Sequence, residues 1–302
     1  MKEYGSIKFS VVVPAYNEEA AIESLLGPLT ERLSSLSPDD YEIIVVDDGS
    51  TDGTSVKARN FEGIKVLRLP KNLGYGAAVK SGVRASRFDW ILIMDGDGQH
   101  SPEFLDDFFA AVREGYDMAV GSRQEGSHRN WVREPGKQLL KMTANFLADE
   151  KIPDLNSGMR IFRKDIFFKY EALYPNGFSI STTMTLAFLG DGYAVKYIPI
   201  RTLKRIGRKS NVRMFRDGIN TLVMILRTIS LFNPLRVFIP TSLVSLAIGF
   251  SHALVNVLFY GHISKTSIIF TVAAALFFLF GILADQLALL RKQQSGGVKN
   301  LR

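Results

Sequence analysis

Residues 90–100 read WILIMDGDGQH. Trp90–Asp95 is a short apolar run rich in Ile, with the length and composition of a buried strand. It breaks into Gly96-Asp97-Gly98-Gln99-His100, a polar, glycine-rich turn. Two earlier stretches repeat the design. Phe9–Pro14 (FSVVVP) runs into Ala15-Tyr16-Asn17-Glu18, and Glu42–Asp47 (EIIVVD) runs into Asp48-Gly49-Ser50-Thr51-Asp52. Lys65–Leu69 and Met118–Gly121 are further strand candidates. Helical patterns fall between them, over roughly Glu18–Ser35, Thr51–Asn60, Gly74–Ser86 and Pro102–Glu114, the last with Ser101 as its cap and Pro102 in the first turn. Strands alternating with helices predict an α/β fold, a Rossmann-like, mostly parallel sheet with helices on both faces. Ligands of such sheets bind beyond the C-terminal strand ends, where all three acidic clusters fall.

Asp, Asn, Gly and Ser are common turn formers, so each cluster alone has a purely structural reading. Three clusters on one sheet edge place several carboxylates around one crevice. That is costly without a cation or hydrogen-bond donors. Asp97-x-Gln99 after Asp95 is a hard oxygen set suited to Mg2+ or Mn2+. A calcium loop of the EF-hand type fits poorly: its sixth position would be His100 rather than Gly, and a strand precedes it. The pair Gly74-x-Gly76 lacks the full dinucleotide fingerprint.

The C-terminal quarter differs in kind. Val237–Tyr260 contains no charge over 24 residues, and Thr266–Ala284 is also uncharged, continuing apolar to Leu290 with Asp285 as the one interruption. About 20 apolar residues cross a bilayer as a helix, so two spans, about 236–260 and 266–290, are expected as a hairpin. Arg227 and Arg236 precede the first span. Arg291, Lys292, Lys299 and Arg302 follow the second, against Lys265 alone in the connector. That bias predicts cytoplasmic termini and a cytoplasmic catalytic domain on a multi-pass protein of the cell membrane. Residues 213–232 put Arg213, Arg216, Asp217, Asn220 and Arg227 on one helical face and Phe215, Ile219, Leu222, Ile225, Leu226 and Ile229 on the other, an interfacial amphipathic helix. The expected organisation is thus a catalytic domain over 1–212, an interfacial helix over 213–233 and a transmembrane hairpin over 234–302 with a short basic tail.

The 302 residues are 46% hydrophobic and 22% charged, which excludes a disordered chain. The absence of Cys excludes disulfides, thiolate metal sites and cysteine nucleophiles. The net charge of +7 is a block: residues 1–195 carry 22 basic and 28 acidic side chains, whereas 196–236 carry 10 basic and one acidic. A basic block just ahead of the apolar end suits a membrane surface or a phosphate ligand, and no nucleic-acid partner is expected.

The set PAYNE (14–18), DDGSTD (47–52), N-x-G-x-G-x-A (72–78), DGDGQH (95–100) and GSR (121–123) resembles the family 2 inverting glycosyltransferases with a GT-A fold. DLNSGMRIFR (154–163), LKRIGRKS (203–210), Asn233-Pro234-Leu235-Arg236 and the hairpin resemble one branch, the polyprenyl-phosphate sugar synthases of the dolichyl-phosphate mannose synthase type. No Gln-x-x-Arg-Trp of processive polysaccharide synthases occurs. The resemblance implies a hexosyltransferase moving a sugar from a UDP- or GDP-linked donor to a polyprenyl phosphate such as undecaprenyl or dolichyl phosphate, with inversion and with Mg2+ or Mn2+.

It further implies that Pro14, Tyr16, Glu18, Val45, Asp47, Asp95 and Gly96 hold the nucleotide sugar, and that Asp97 and Gln99 bind the metal. Asp97, Arg123 and Arg205 are the implied catalytic residues. Ser157, Gly158, Arg205, Arg208, Lys209 and Ser210 would serve phosphate and acceptor, and Gln124–Arg133 resembles an acceptor loop. The chain departs from the pattern at Ser181-Thr182-Thr183, where relatives often carry an acid, and at Lys209-Ser210, where the order of lysine and serine is reversed. A membrane-anchored transferase acting on a glycan or protein remains the alternative, and a non-catalytic nucleotide-sugar sensor a third. Self-association through the hairpin stays open, since no periodic seam specifies it.

Overall fold

The computed structural model describes residues 7–35, 40–124, 152–154, 157–203, 223, 226, 230 and 232–294. Seven strands form one sheet: β1 Phe9–Ala15, β2 Tyr41–Asp47, β3 Ile64–Arg68, β4 Trp90–Ile93, β5 Met118–Arg123, β6 Arg160–Arg163 and β7 Val195–Ile200, in the order β3-β2-β1-β4-β6-β5-β7. β1 pairs in parallel with both β2 and β4, with Val13 opposite Val45 and Val12 opposite Ile93. β6 alone runs against its neighbours β4 and β5. The chain therefore leaves β1 on one side to reach β2 and later returns on the other side as β4. That reversal opens a crevice at the C-terminal end of β1.

The unbroken apolar character of these strands has a direct cause, because both faces are covered. Along β1, Phe9, Val11 and Val13 pack into one core and Val12 into the other. Helices α1 (Ile22–Leu33), α2 (Thr54–Arg59) and α4 (Leu105–Arg113) supply the first core; α3 (Tyr75–Ala85), α5 (Lys164–Lys169) and α6 (Ile180–Gly190) supply the second. A Cβ on Gly82 of α3 would lie 2.3 Å from Val12 Cγ1, so a residue without a side chain lets α3 lie directly on the sheet.

Each helix begins later than its periodicity predicts, because the motif residues ahead of it are used in loops. Ser101 caps as expected, accepting from the Glu103 amide, although the first turn after it, Pro102–Phe104, is 3-10 rather than α. β4 ends at Ile93, two residues short of the expected Asp95, which frees Asp95 for the crevice. β6 and β7 were not anticipated from the apolar runs.

The last two helices, α7 (Leu235–Tyr260) and α8 (Lys265–Gln294), form an antiparallel hairpin. Both are long and apolar enough to cross a membrane. At 1.5 Å per residue each 26-residue span measures about 39 Å, more than the ~30 Å hydrocarbon core. Polar atoms inside the pair are consumed locally: Ser242 Oγ donates to Ala274 O and Ser245 Oγ to Phe270 O, both at 2.9 Å. Gly249 and Gly281 bring the helices close against Thr271 and Phe238. The expected interfacial helix over 213–233 lies mostly outside the described residues. Val223, Leu226, Ser230 and Phe232 are helical, and Phe232 is buried against Tyr170 and Gly190 of the sheet domain.

Candidate active site

A cleft of about 220 Å³ opens at the crevice between β1 and β4. It is lined by Pro14, Ala15, Tyr16, Glu18, Asp48, Asn72, Gly74, Tyr75, Ala78, Asp95, Gly96, Asp97 and Phe178. Of the residues expected to hold a nucleotide sugar, Pro14, Tyr16, Glu18, Asp95 and Gly96 line it. Val45 and Asp47 do not. Val45 points into the apolar core. Asp47 is fully buried; it accepts from the Ser50 amide at 2.8 Å and from the Ser55 hydroxyl, and lies 3.5 Å from Arg68 Nε. Its neighbour Asp48 reaches the cleft instead. The cause is strand parity: the residue after the last paired position of β2 turns toward the crevice.

Asp48 accepts from the backbone N–H groups of Leu73 and Gly74 at 2.8 and 2.9 Å. Burial nevertheless raises its carboxyl above the ordinary value, against the lowering effect of those two bonds. The remaining motif residues fasten the loops to each other. Asn17, at φ 52°, donates its N–H to Ser50 Oγ and accepts the Thr51 N–H on Oδ1. Glu18 N–H donates to Thr54 Oγ1, and Gly53 N–H to Glu19 Oε2. These are side-chain turns that spend the polar groups of Asn17, Glu19, Ser50 and Thr51 on loop geometry.

The glycine pair before α3 receives a backbone carbonyl. Asn176 O accepts from Gly76 N–H at 2.7 Å and from Ala77 N–H at 3.3 Å. A Cβ on Gly76 would stand 2.2 Å from Pro175 O, and one on Gly74 2.4 Å from Asn176 O. The start of α3 is thereby closed by a loop a hundred residues away, with Lys80 Nζ donating to Tyr174 O and Asn176 Oδ1. The same loop brings Phe178 to the cleft, stacked on Tyr75 with ring centroids 5.5 Å apart.

Asp95 and Asp97 lie on the cleft floor. Tyr75 Oη donates to Asp95 Oδ1 at 2.8 Å. Asp97 Oδ1 accepts from Gln99 N–H at 3.1 Å, and Gln99 Nε2 donates to Leu203 O at 3.4 Å, so the amide's other atom, Oε1, is the one that could meet a cation. Among the described residues no three His, Cys, Asp or Glu side chains converge as a metal cage. Two carboxylates and an amide oxygen beside a cleft are a fitting partial set for Mg2+ or Mn2+, which commonly takes one or two carboxylates and completes its shell with substrate phosphates and water.

Arg123, at the end of β5, forms a two-pronged pair with Asp154, Nε to Oδ2 at 2.6 Å and Nη2 to Oδ1 at 3.0 Å. This pair, with the charges of Asp95 and Asp97, holds its guanidinium more firmly protonated than usual. Gly158 lies against Asp95, where a Cβ on it would fall 1.8 Å from Asp95 Oδ2, and Ser157 beside it is buried. Arg205, Arg208, Lys209, Ser210 and the loop 125–133 lie outside the described residues. The segment leading to that basic stretch does not: Thr202 forms an isolated bridge with His100, and Leu203 N–H donates to Gln99 O at 3.0 Å.

His100 is buried, with Nε2 3.9 Å from Asp95 Oδ2 and Nδ1 lacking a hydrogen-bond partner. Burial, assisted by Arg123, pushes its imidazole down to about 4 despite Asp97 and Asp154. The folded chain therefore takes up this proton only near pH 4, whereas an unfolded chain takes it up near 6.5. The contribution is fully present above pH 6.5 and is lost as the pH falls toward 4, amounting to ~3 kcal/mol. Thermal unfolding followed between about pH 5 and 6.5 is expected to show a shallower pH slope in His100→Leu than in the parent; equal slopes would contradict the buried neutral imidazole.

Asp48, Asn72, Tyr75 and Phe178 also line the cleft, although motif reading gave them no role there. Asp48 was available from strand parity; the others depend on contacts between distant segments.

Two family models match the chain: Glycosyl transferase family 2 over residues 10–170 and the GtrB C-terminal hairpin over residues 233–290. Polyprenol monophosphomannose synthase of Mycolicibacterium smegmatis is 32% identical over 217 residues, 65% of this chain and 77% of that protein. Dolichol-phosphate mannosyltransferase of Pyrococcus furiosus is 35% identical over 58% of this chain and 51% of its own length. Dodecaprenyl-phosphate galacturonate synthase of Rhizobium johnstonii is 31% identical over 53% and 49%. The matches thus span about half the length of these last two relatives. Among solved structures, glucosyl-3-phosphoglycerate synthase from Mycobacterium tuberculosis, in complex with Mn2+, uridine-diphosphate-glucose and phosphoglyceric acid, superposes with a TM-score of 0.58 at 21% identity, covering 74% of this chain and 80% of that one.

Proposed function

Since the chain belongs to glycosyl transferase family 2, we propose that it moves a sugar from a UDP- or GDP-linked donor to a polyprenyl phosphate at the cytoplasmic face of a membrane, with inversion. The observation that carries this reading is the combination of the acidic cleft with a two-helix hairpin of the GtrB type in one chain. The hairpin holds the cleft at the bilayer, where a lipid-linked phosphate is found. The sugars in the names of the relatives differ, mannose in two and galacturonate in one, so the donor sugar is left open here. Orientation with both termini in the cytoplasm rests on the Lys and Arg bias around the spans.

The chemistry asks for charge stabilisation rather than proton removal. A lipid phosphate has its second pKa near ~6 and is largely dianionic at neutral pH, so it attacks the anomeric carbon without a general base. The departing group is a nucleoside diphosphate. Pro14, Tyr16, Glu18 and Asp48 would hold the nucleoside end; Asp95, Asp97 and Gln99 would hold Mg2+ or Mn2+. When bound, the ion would offset charge growing on the diphosphate. Arg123 supplies a fixed cation beside Asp95 and Asp97. Arg205, two residues beyond Leu203 in the chain, is the candidate for the acceptor phosphate, with Arg208, Lys209 and Ser210 following in the same basic stretch. The basic block would also relieve the repulsion between two anionic substrates near an anionic bilayer.

The test uses full-length protein in detergent with sugar-labelled UDP and GDP donors, Mg2+ or Mn2+, and undecaprenyl phosphate. Label is expected in the organic phase, only when both lipid and divalent ion are present. Label on a glycan or protein instead would favour a membrane-anchored transferase for that acceptor.

A further inference from the structure

Arg160, the first residue of β6, is 1% exposed and among the largest fully buried side chains. Helix α6, which packs over it, contains no carboxylate in its sequence ISTTMTLAFLG. What it offers is a carbonyl and a hydroxyl: Arg160 Nη1 donates to Ser181 O at 2.9 Å and to Thr185 Oγ1 at 3.3 Å. Nη2 donates to Ser157 O at 2.5 Å, and Nε has no hydrogen-bond partner. The negative charges that act on this guanidinium are those of Asp95 and Asp154. A buried cation bonded to neutral groups is an expensive way to join a strand to a helix.

Its bonds lead to one place. Ser157 O anchors the turn whose next residue, Gly158, abuts Asp95 Oδ2. Ser181, held by its carbonyl, hydrogen-bonds through its side chain with Tyr75, and Tyr75 Oη donates to Asp95 Oδ1. The two oxygens of Asp95 are thus governed from opposite sides by groups that Arg160 ties down. We infer that Arg160 is a positioning residue for sugar transfer, fixing through the Ser157–Gly158 turn and through Ser181 and Tyr75 the orientation of Asp95 on the cleft floor. The inference rests on the glycosyl-transfer reading above.

Three variants of the full-length protein test it: Arg160→Met, Arg160→Lys and Tyr75→Phe, the last removing one oxygen while keeping the ring stacked on Phe178. The readouts are kcat and KM for the transfer assay, the thermal midpoint, and calorimetric binding of UDP and GDP with Mn2+. Misplacing a reacting geometry by about an ångström costs roughly 100-fold in rate. Arg160→Met is expected to lose about that much in kcat, with KM and nucleoside-diphosphate binding little changed and only a modest fall in the thermal midpoint from the acceptors left without a donor. Arg160→Lys should recover part of the loss. Tyr75→Phe should lower kcat by less, again without a matching fall in stability. Undiminished kcat in Tyr75→Phe and Arg160→Lys, or losses in every variant that follow the thermal midpoint, would overturn the inference. If the parent protein binds UDP or GDP yet moves no sugar to lipid, the functional reading itself fails and the inference with it.

Discussion

Asp97→Asn is expected to lower transfer by about 10²–10³-fold or more while leaving the protein folded and membrane-inserted. The substitution is almost isosteric. Asn retains an oxygen to accept the Gln99 N–H now bound by Asp97 Oδ1, so the turn 96–99 keeps its shape. What disappears is one negative charge on the cleft floor, on a side chain 8% exposed. A divalent ion shared with a diphosphate is held by few protein ligands, and the loss of an anionic one falls directly on its occupancy. The hairpin from Leu235 onward has no part in this change. Transfer rates at rising Mg2+ or Mn2+, alongside the thermal midpoint, check the expectation. Full activity of the variant in EDTA-treated protein would remove the metal assignment.

Gly158→Ala is expected to be the second most damaging change, for a steric reason. The added methyl would stand 1.8 Å from Asp95 Oδ2 and 2.2 Å from its Cγ. No real Cβ survives at that distance, so either Asp95 rotates away from Tyr75 or the 157–158 turn withdraws. Both outcomes displace a carboxylate of the cleft, and a loss of roughly 100-fold in kcat/KM follows from a shift of about an ångström. Gly177→Ala is the control, because nothing lies within 4 Å of a Cβ there. Comparable activity in the two variants would mean that Asp95 is not held as described.

The parallel core of the sheet was legible because covering both faces forces continuous Val and Ile runs, and because glycine-rich acidic turns stop those runs at one edge. That reasoning reached the crevice and its three acidic turns; Pro14, Tyr16, Glu18, Asp95, Gly96 and Asp97, which the family resemblance implies for the site, line the cleft. Val45 and Asp47, implied by the same resemblance, do not line it; in a strand, alternate residues face opposite sides, and Asp48 rather than Asp47 meets the crevice. β6 (RIFR) and β7 (VKYIPI) were missed because charged residues and a proline interrupt their apolar runs. Nothing local to Gly74-Tyr75-Gly76 announces that Asn176 will cap it. Nor does Arg160, in a sequence where arginines usually lie at the surface, announce its burial. The hairpin was the easiest part, since length and absence of charge are properties of the chain itself.

The most direct measurement counts two products at once in the parent protein: nucleoside diphosphate released from a labelled sugar nucleotide and sugar recovered on polyprenyl phosphate. Glycosyl transfer to the lipid predicts equal amounts of both, with neither formed when the lipid is withheld or the divalent ion is chelated. Nucleoside diphosphate released at the same rate without the lipid, and no sugar in the organic phase, would contradict the account.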